Sequence, residues 1–540
     1  MTCRRNSHPC ILPLGLGVLS LGFSCIQMLA DASQEAATPK QHTERGAELA
    51  QKGDLKSAEL ELRQALDLAP HDPIALSTLG AILGMQQRLE ESNVYLDEAL
   101  KINPKDLGAR RNLASNQFQL GQLSAAKENL EVILRAAPDQ PTARLLLGMV
   151  AEEMKDYSKA IELLSSVPDQ VRQQPKAVVA LARSYYRIEE RQKARQTLDR
   201  LAGQASAPEI FLGGQVAAQS KDFEMAEHLF RLIQSTYSDM AKLGYQLAGA
   251  QYQQDHIRES RHTLENLIQT GHRSSDIYNL LSWCLHKQQK FKESVAAMDQ
   301  AIEIDPAKET NYTDLGLILL ANHQLPVALE AAKRAVEIAP GSYQAAMLRG
   351  LVETKMNRLI EAAATYKRAI ELGPDRPEPV LALALVFSAD GKSQEAEAAF
   401  LSGMARFPRN PVLLQEYGKT LLKFGEGGDA VAQARATSLF RAALEIDDSL
   451  AESHYQLGNL ALANDKAEEA VPHLETAAKL NPQSSKTHFA LARAYRRLGK
   501  SGAASKELGV YESLKGKESE TSLAESNFST GPSPPPNAPK

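Results

Sequence analysis

One 34-residue phrase returns along most of this chain, and residues 309–374 hold it twice. The first copy runs Tyr312-Thr-Asp-Leu-Gly316, passes Ala328, Ala332 and Ala335, and closes at Pro340. The second runs Leu348-Arg-Gly350, passes Ala362, Tyr366 and Ala369, and closes at Pro374. Pro70, Pro104 and Pro138 keep the same spacing, as do Pro306, Pro340 and Pro374. A unit of this length cannot bury its own apolar face. Neighbours must stack, and the core must run along the array instead of closing into one globule. Small residues at the first landmarks let two helices approach closely, and the closing proline stops the second helix. The expected fold is all-α.

Carrying the register through the gaps gives about fourteen units, starting near residues 39, 73, 107, 141, 175, 207, 241, 275, 309, 343, 377, 411, 451 and 485. In the second unit the landmarks are Leu76, Leu79, Gly80, Leu83, Ser92, Leu96, Ala99 and Pro104. In the thirteenth they are Leu457, Gly458, Ala470, Leu474, Ala477 and Pro482. This pattern resembles the tetratricopeptide repeat over residues 39–514. The resemblance implies an α-solenoid, a right-handed superhelix of helix-turn-helix units. Two places depart from the register. Pro168 arrives four residues early, which predicts a shortened second helix and a loop through Gln174. Around Gly425–Asp429 about six extra residues predict a neutral spacer, or else a functional loop, between the two helices of the twelfth unit.

The ends read differently. Arg4 and Arg5 precede an apolar stretch from Ile11 to Ala30, and Ala30-Asp31-Ala32 has small-x-small spacing. Residues 1–32 therefore read as a signal peptide that directs export to the periplasm or outside the cell and is then removed. An uncleaved leader would instead anchor the chain in a membrane, as would lipidation of Cys25, which Gly22-Phe23-Ser24 disfavours by lacking an aliphatic residue. Residues 33–38 form a short linker, and the Pro/Ser-rich residues 515–540 are expected to be disordered. Beyond Cys3, Cys10 and Cys25 the only cysteine is Cys284, so no internal disulfide forms after cleavage. The net charge of −5, or −6 without residues 1–32, gives no basic face for nucleic acid.

Catalytic and metal motifs are missing. Gly-Lys-Ser at 391–393 and 499–501 and Gly-Lys-Thr at 418–420 suggest phosphate loops, but Val386, Ala494 and Leu413 stand where such loops need glycine. Gly391 and Gly499 share the repeat position of Gly53 and Gly121, the turn between helices. His42, His454 and His488 recur with the register, and no His-Glu-x-x-His or paired-cysteine site occurs. The chain is expected to be no enzyme and to hold no cofactor and no metal.

Recognition of a partner remains. In tetratricopeptide proteins the first helix of each unit lines an inner groove, through its second, fifth, sixth, ninth, twelfth and thirteenth positions. Placed on this chain, the fifth to eighth units present Arg183, Tyr186, Arg187, Phe211, Gln215, Tyr245, Gln246, Tyr252, Asn279, Trp283, His286 and Lys287. Aromatics interleaved with amides and cations are the composition of contact hot spots. The ninth to eleventh units present an aliphatic strip of Leu317, Leu320, Met347, Leu348, Leu351, Leu381 and Leu385, suited to an extended peptide, a helix face, or packing against the neighbouring superhelical turn or another subunit. The family's chaperone-tail clamp is lacking, since Asn112 is flanked by Ser77 and Ala81 before it and Thr142 and Leu146 after it. The resemblance implies a protein-binding scaffold of the cell envelope. The alternative is an accessory subunit for glycan transfer or export, acting through a separate protein.

Overall fold

A computed structural model describes residues 37–425 and 429–521, with side chains to residue 515. The leader and most of the 33–38 linker lie outside the described residues, as do residues 522–540. Among the described residues every regular element is helical: 29 α-helices and one 3₁₀ turn. They form two compact bodies, divided between Glu209 and Ile210.

Helices pair in sequence into antiparallel hairpins, numbered here in chain order. In the first body the first helices are Pro39–Gln51, Pro73–Met85, Leu107–Gln119, Pro141–Glu153 and Pro175–Arg187. The sixth, Ala207–Gln219, lies at the division between the bodies. The second body continues with Met240–Gln253, Ser275–Lys287, Glu309–Ala321, Tyr343–Lys355, Glu378–Ala389, Pro411–Phe424, Ala451–Ala463 and Ser485–Arg497. Within each body, first helices of successive hairpins contact one another at most steps, as at Met240–Gln253, Ser275–Lys287 and Glu309–Ala321. These first helices are where a groove can lie.

Local chemistry sets the helix limits. Thr38 caps the first helix, accepting a hydrogen bond from the Gln41 N–H, with Pro39 in the first turn. Asp54, Asp72 and Asp106 do the same for three of the next four helices, the start at Leu89 having no side-chain cap. Each fully described turn inside a hairpin has one residue in the left-handed region. It is glycine at Gly53, Gly121, Gly391 and Gly499, whose φ lies between 72° and 86°. The two Gly-Lys-Ser matches are therefore turns of the repeat. Buried Ala58, Leu62 and Ala65 of a second helix meet Ala75, Leu79 and Leu83 of the next hairpin, so the core is continuous between repeats.

Three details differ from the sequence expectation. Residues 168–173 form a short helix where a loop is predicted, because Pro168 takes the first helical position and Val171 is buried beneath it. The extra residues of the twelfth hairpin are not all spacer. Its helices, Pro411–Phe424 and Ala430–Ile446, run 14 and 17 residues, and Asp429 caps the second through the Val431 and Ala432 N–H groups. The last helix, Ser501–Thr521, passes the predicted array end at residue 514, since Lys and Glu there are good helix formers.

Candidate functional site: a polar and aromatic face on three neighbouring first helices

The predicted groove residues fall in both bodies. In the first, Arg183 donates through Nη1 to both carboxylate oxygens of Glu152, at 3.0 and 3.2 Å. Burial pushes the Glu152 carboxyl up, against the opposing pull of Arg183. Arg183 is thereby engaged inside its own body. Tyr186 is half-buried and Arg187 exposed.

In the second body, Phe211 is 3% exposed. It stacks on Tyr237 with ring centroids 4.5 Å apart and lies 5.4 Å from Phe230. Phe211 is core, not groove surface; its ring is drawn in because Gly214, one turn on, leaves room for Phe230. Gln215 and Gln246 are half-buried.

The structure brings Tyr245, Tyr252, Asn279, Trp283 and His286 together, and adds two residues the sequence reading passed over, Asn311 and Asp314. Tyr245 and Tyr252 are seven apart on Met240–Gln253; Asn279, Trp283 and His286 follow at four and three on Ser275–Lys287. Both spacings keep side chains on one helix face. Asn279 Nδ2 donates to Asp314 Oδ2 at 2.8 Å and reaches Asn311 Oδ1 at 3.3 Å. The Trp283 indole N–H donates to the same carboxyl. Asn311 is held in turn by donating to Ser275 Oγ at 2.8 Å and the Ala301 carbonyl at 3.2 Å. Two neighbouring first helices, Ser275–Lys287 and Glu309–Ala321, are thus linked through one carboxyl group.

Burial pushes the Asp314 carboxyl up to about 6, although Asn279 and Trp283 donate to its charged form. Its neighbour Lys308 is committed to Asp276 at 2.5 Å. Burial also raises the Tyr245 phenol, helped by Asp276 and Asp314. It raises Tyr252 as well, whose buried hydroxyl has no hydrogen-bond partner among the described residues. His286 meets Trp283 edge-on at 5.7 Å and is held below the usual histidine range by burial, then by Lys287. Lys287 is exposed and lies 3.9 Å from Asp255. Trp283 is 8% exposed and packs on Met298, Ala301 and Ile318, so one edge of its ring is core while its N–H serves the polar face.

The aliphatic strip is spent on packing between repeats. Leu348 sits over Gly316, with its Cδ2 2.5 Å from where a Cβ would stand. Leu317 and Leu320 pack on the core around Leu329 and Leu348. Leu351 is buried, Met347 packs on Tyr366 and Leu383, and Leu381 and Leu385 on Phe400 and Tyr417.

A second polar face lies at the last three hairpins, around a cavity of about 310 Å³ lined by Gln415, Glu452, Asn481 and Thr487. Burial raises the Glu452 carboxyl, but donation from Lys486 and Gln456, each at 2.7 Å, outweighs it and holds the group below the usual range. This carboxylate is neutralised within the protein, unlike Asp314. Cys284 is fully buried, donates to Ser260 Oγ at 3.3 Å, and is pushed up to about 11 by burial. It is an inert packing residue. Among the described residues no cluster of three metal-ligating side chains occurs, and no helix is long and apolar enough to cross a membrane.

Models of the tetratricopeptide repeat match residues 85–150, 118–180, 275–308, 313–377 and 455–509. No curated protein matches the chain. Among solved structures, yeast Tom70 aligns over 90% of this chain and 99% of its own, at 15% identity and a TM-score of 0.39. The Cut9–Hcn1 hetero-tetramer of the APC/C aligns over 91% and 96%, at 15% identity and a TM-score of 0.35. Naa15/Naa10 bound to HypK-THB aligns over 88% and 94%, at 15% identity and a TM-score of 0.29.

Proposed function

The chain is a tetratricopeptide-repeat protein, and from that premise we propose that it is a non-enzymatic scaffold that binds a polypeptide partner on the first helices of hairpins seven to nine. Repeats of this kind support protein–protein interaction. The observation that carries the choice of site is the single carboxyl of Asp314, joined by Asn279 and Trp283 across adjacent helices beside two tyrosines. A preorganised polar group flanked by aromatic rings is how interfaces fix register while burying area. We place the protein in the cell envelope, on the reading of residues 1–32 as an export signal.

The test is capture of a partner from envelope extracts by the full chain, followed by quantitative binding. Tyr245→Ala with Trp283→Ala should weaken the complex by tenfold or more while the far-ultraviolet dichroism keeps its helical amplitude. Undiminished binding by a folded double variant would remove this face from the account. Mass spectrometry of the protein's N-terminus after expression in a bacterium checks the export reading: loss of residues 1–32 supports it, and an intact Met1 contradicts it.

A further inference from the structure

Asp314 is an acid without a counter-ion. It accepts hydrogen bonds from two neutral donors, Asn279 and Trp283, and makes no ion pair among the described residues. The cations nearby are committed, Lys308 to Asp276 at 2.5 Å and Lys287 toward Asp255 at 3.9 Å. Glu309, on the same helix, adds to the negative field at Asp314. It is itself hydrogen-bonded by Thr313 and Ser342. His286, the remaining basic group on the face, is held below the usual histidine range by burial, then by Lys287. Beside the carboxyl stand Tyr245, Tyr252 and Trp283, rings whose negative π-faces attract cations. Glu452 is the internal contrast, because there the protein supplies Lys486 itself.

Resting on the reading of this face as a polypeptide groove, we propose that it accepts a lysine or arginine side chain of the bound chain, whose cation pairs with Asp314 and whose stem lies along Tyr245, Tyr252 and Trp283. A carboxylate held in place and already desolvated gives a cation more than a surface carboxylate would. The aromatic rings favour the long apolar stem that carries it. The arriving cation supplies the charge that the protein leaves out, and it draws Asp314 into its ionised form.

The test uses the full chain and four degenerate dodecapeptide pools that differ only at one fixed central position: lysine, arginine, norleucine or glutamate. At pH 7.5 the lysine and arginine pools should be retained on the order of tenfold more than the norleucine pool, and the glutamate pool least. Asp314→Asn, which keeps an acceptor for Asn279, should bring the lysine pool down to the norleucine level. A pH series on the unaltered protein needs no variant. Ligand lysine stays charged throughout, while the Asp314 carboxyl protonates as pH falls through about 6. The preference should therefore be full at pH 7.5 and fade toward pH 5. Equal retention of lysine and norleucine pools, or an Asp314→Asn protein that still prefers lysine, overturns the cation proposal and leaves the groove standing. Retention of no pool overturns the groove itself.

Discussion

At Gly350 a single methyl group would stand 2.6 Å from Tyr366 Cε1. The same eclipse recurs at Gly80 with Leu96 and Gly458 with Leu474, so close helix approach at one repeat position admits a large side chain sixteen residues later. Tyr366 is 2% exposed and cannot swing out, and it also accepts a hydrogen bond from Thr354 at 3.4 Å. Gly350→Ala should therefore destabilise the second body by about 1–3 kcal/mol, the usual cost of overpacking, despite alanine's better helix propensity. Urea unfolding followed by circular dichroism measures it; an unchanged or raised midpoint would contradict the packing described. This position was legible from sequence, because small residues recurring at one landmark have no other explanation. Asp314 was not. It occupies the sixth position of its unit, a groove position by the rule already in use. Its importance comes from Asn279 and Trp283 of another repeat, a relation that no local pattern carries.

At the scale of elements, the turn inside each hairpin shows where the repeat tolerates strain. Nine described turns put a non-glycine residue at positive φ, among them Gln87, Asp255, His323 and Asp465. An L-residue in that conformation costs roughly 1–2 kcal/mol, and glycine returns about half of that through its greater freedom when unfolded. His323 is exposed and its φ is 57°. His323→Gly should raise stability by about 0.5–1 kcal/mol, read as a higher urea midpoint at unchanged slope, and a lower midpoint would contradict the turn assignment. The serines of the second helices show the same economy. Ser92, Ser260 and Ser294 each donate to a carbonyl of their first helix twelve residues back, at 2.5, 2.7 and 2.9 Å, where other hairpins carry alanine such as Ala126 or Ala328. Size is fixed at this position and polarity is optional. Helix class and pairing were therefore readable from period and small residues, whereas the short helix at Pro168–Gln173 was not. A proline announces both a break and a new first turn, and only the burial of Val171 separates the two.

At the scale of the molecule, fourteen hairpins in two bodies account for the described residues, and each hairpin meets chiefly its neighbours. In such an array stability is a sum of local terms, so a binding face can be confined to a few adjacent repeats without remodelling the others. The predicted groove was drawn too broadly for the same reason. Periodicity assigns every repeat the same inward positions. It does not say which of them are consumed by packing, as Phe211 and Leu348 are, or by an internal ion pair, as Arg183 is. The charge left uncompensated at hairpins seven to nine is what distinguishes that stretch. Hydrogen exchange read by mass spectrometry, on the full chain with and without its captured partner, tests this most directly. The account predicts slowed exchange in residues 240–253, 275–287 and 309–321 and unchanged exchange across hairpins one to five. Protection confined to the second helices or to the first body, with those three segments unchanged, would contradict it.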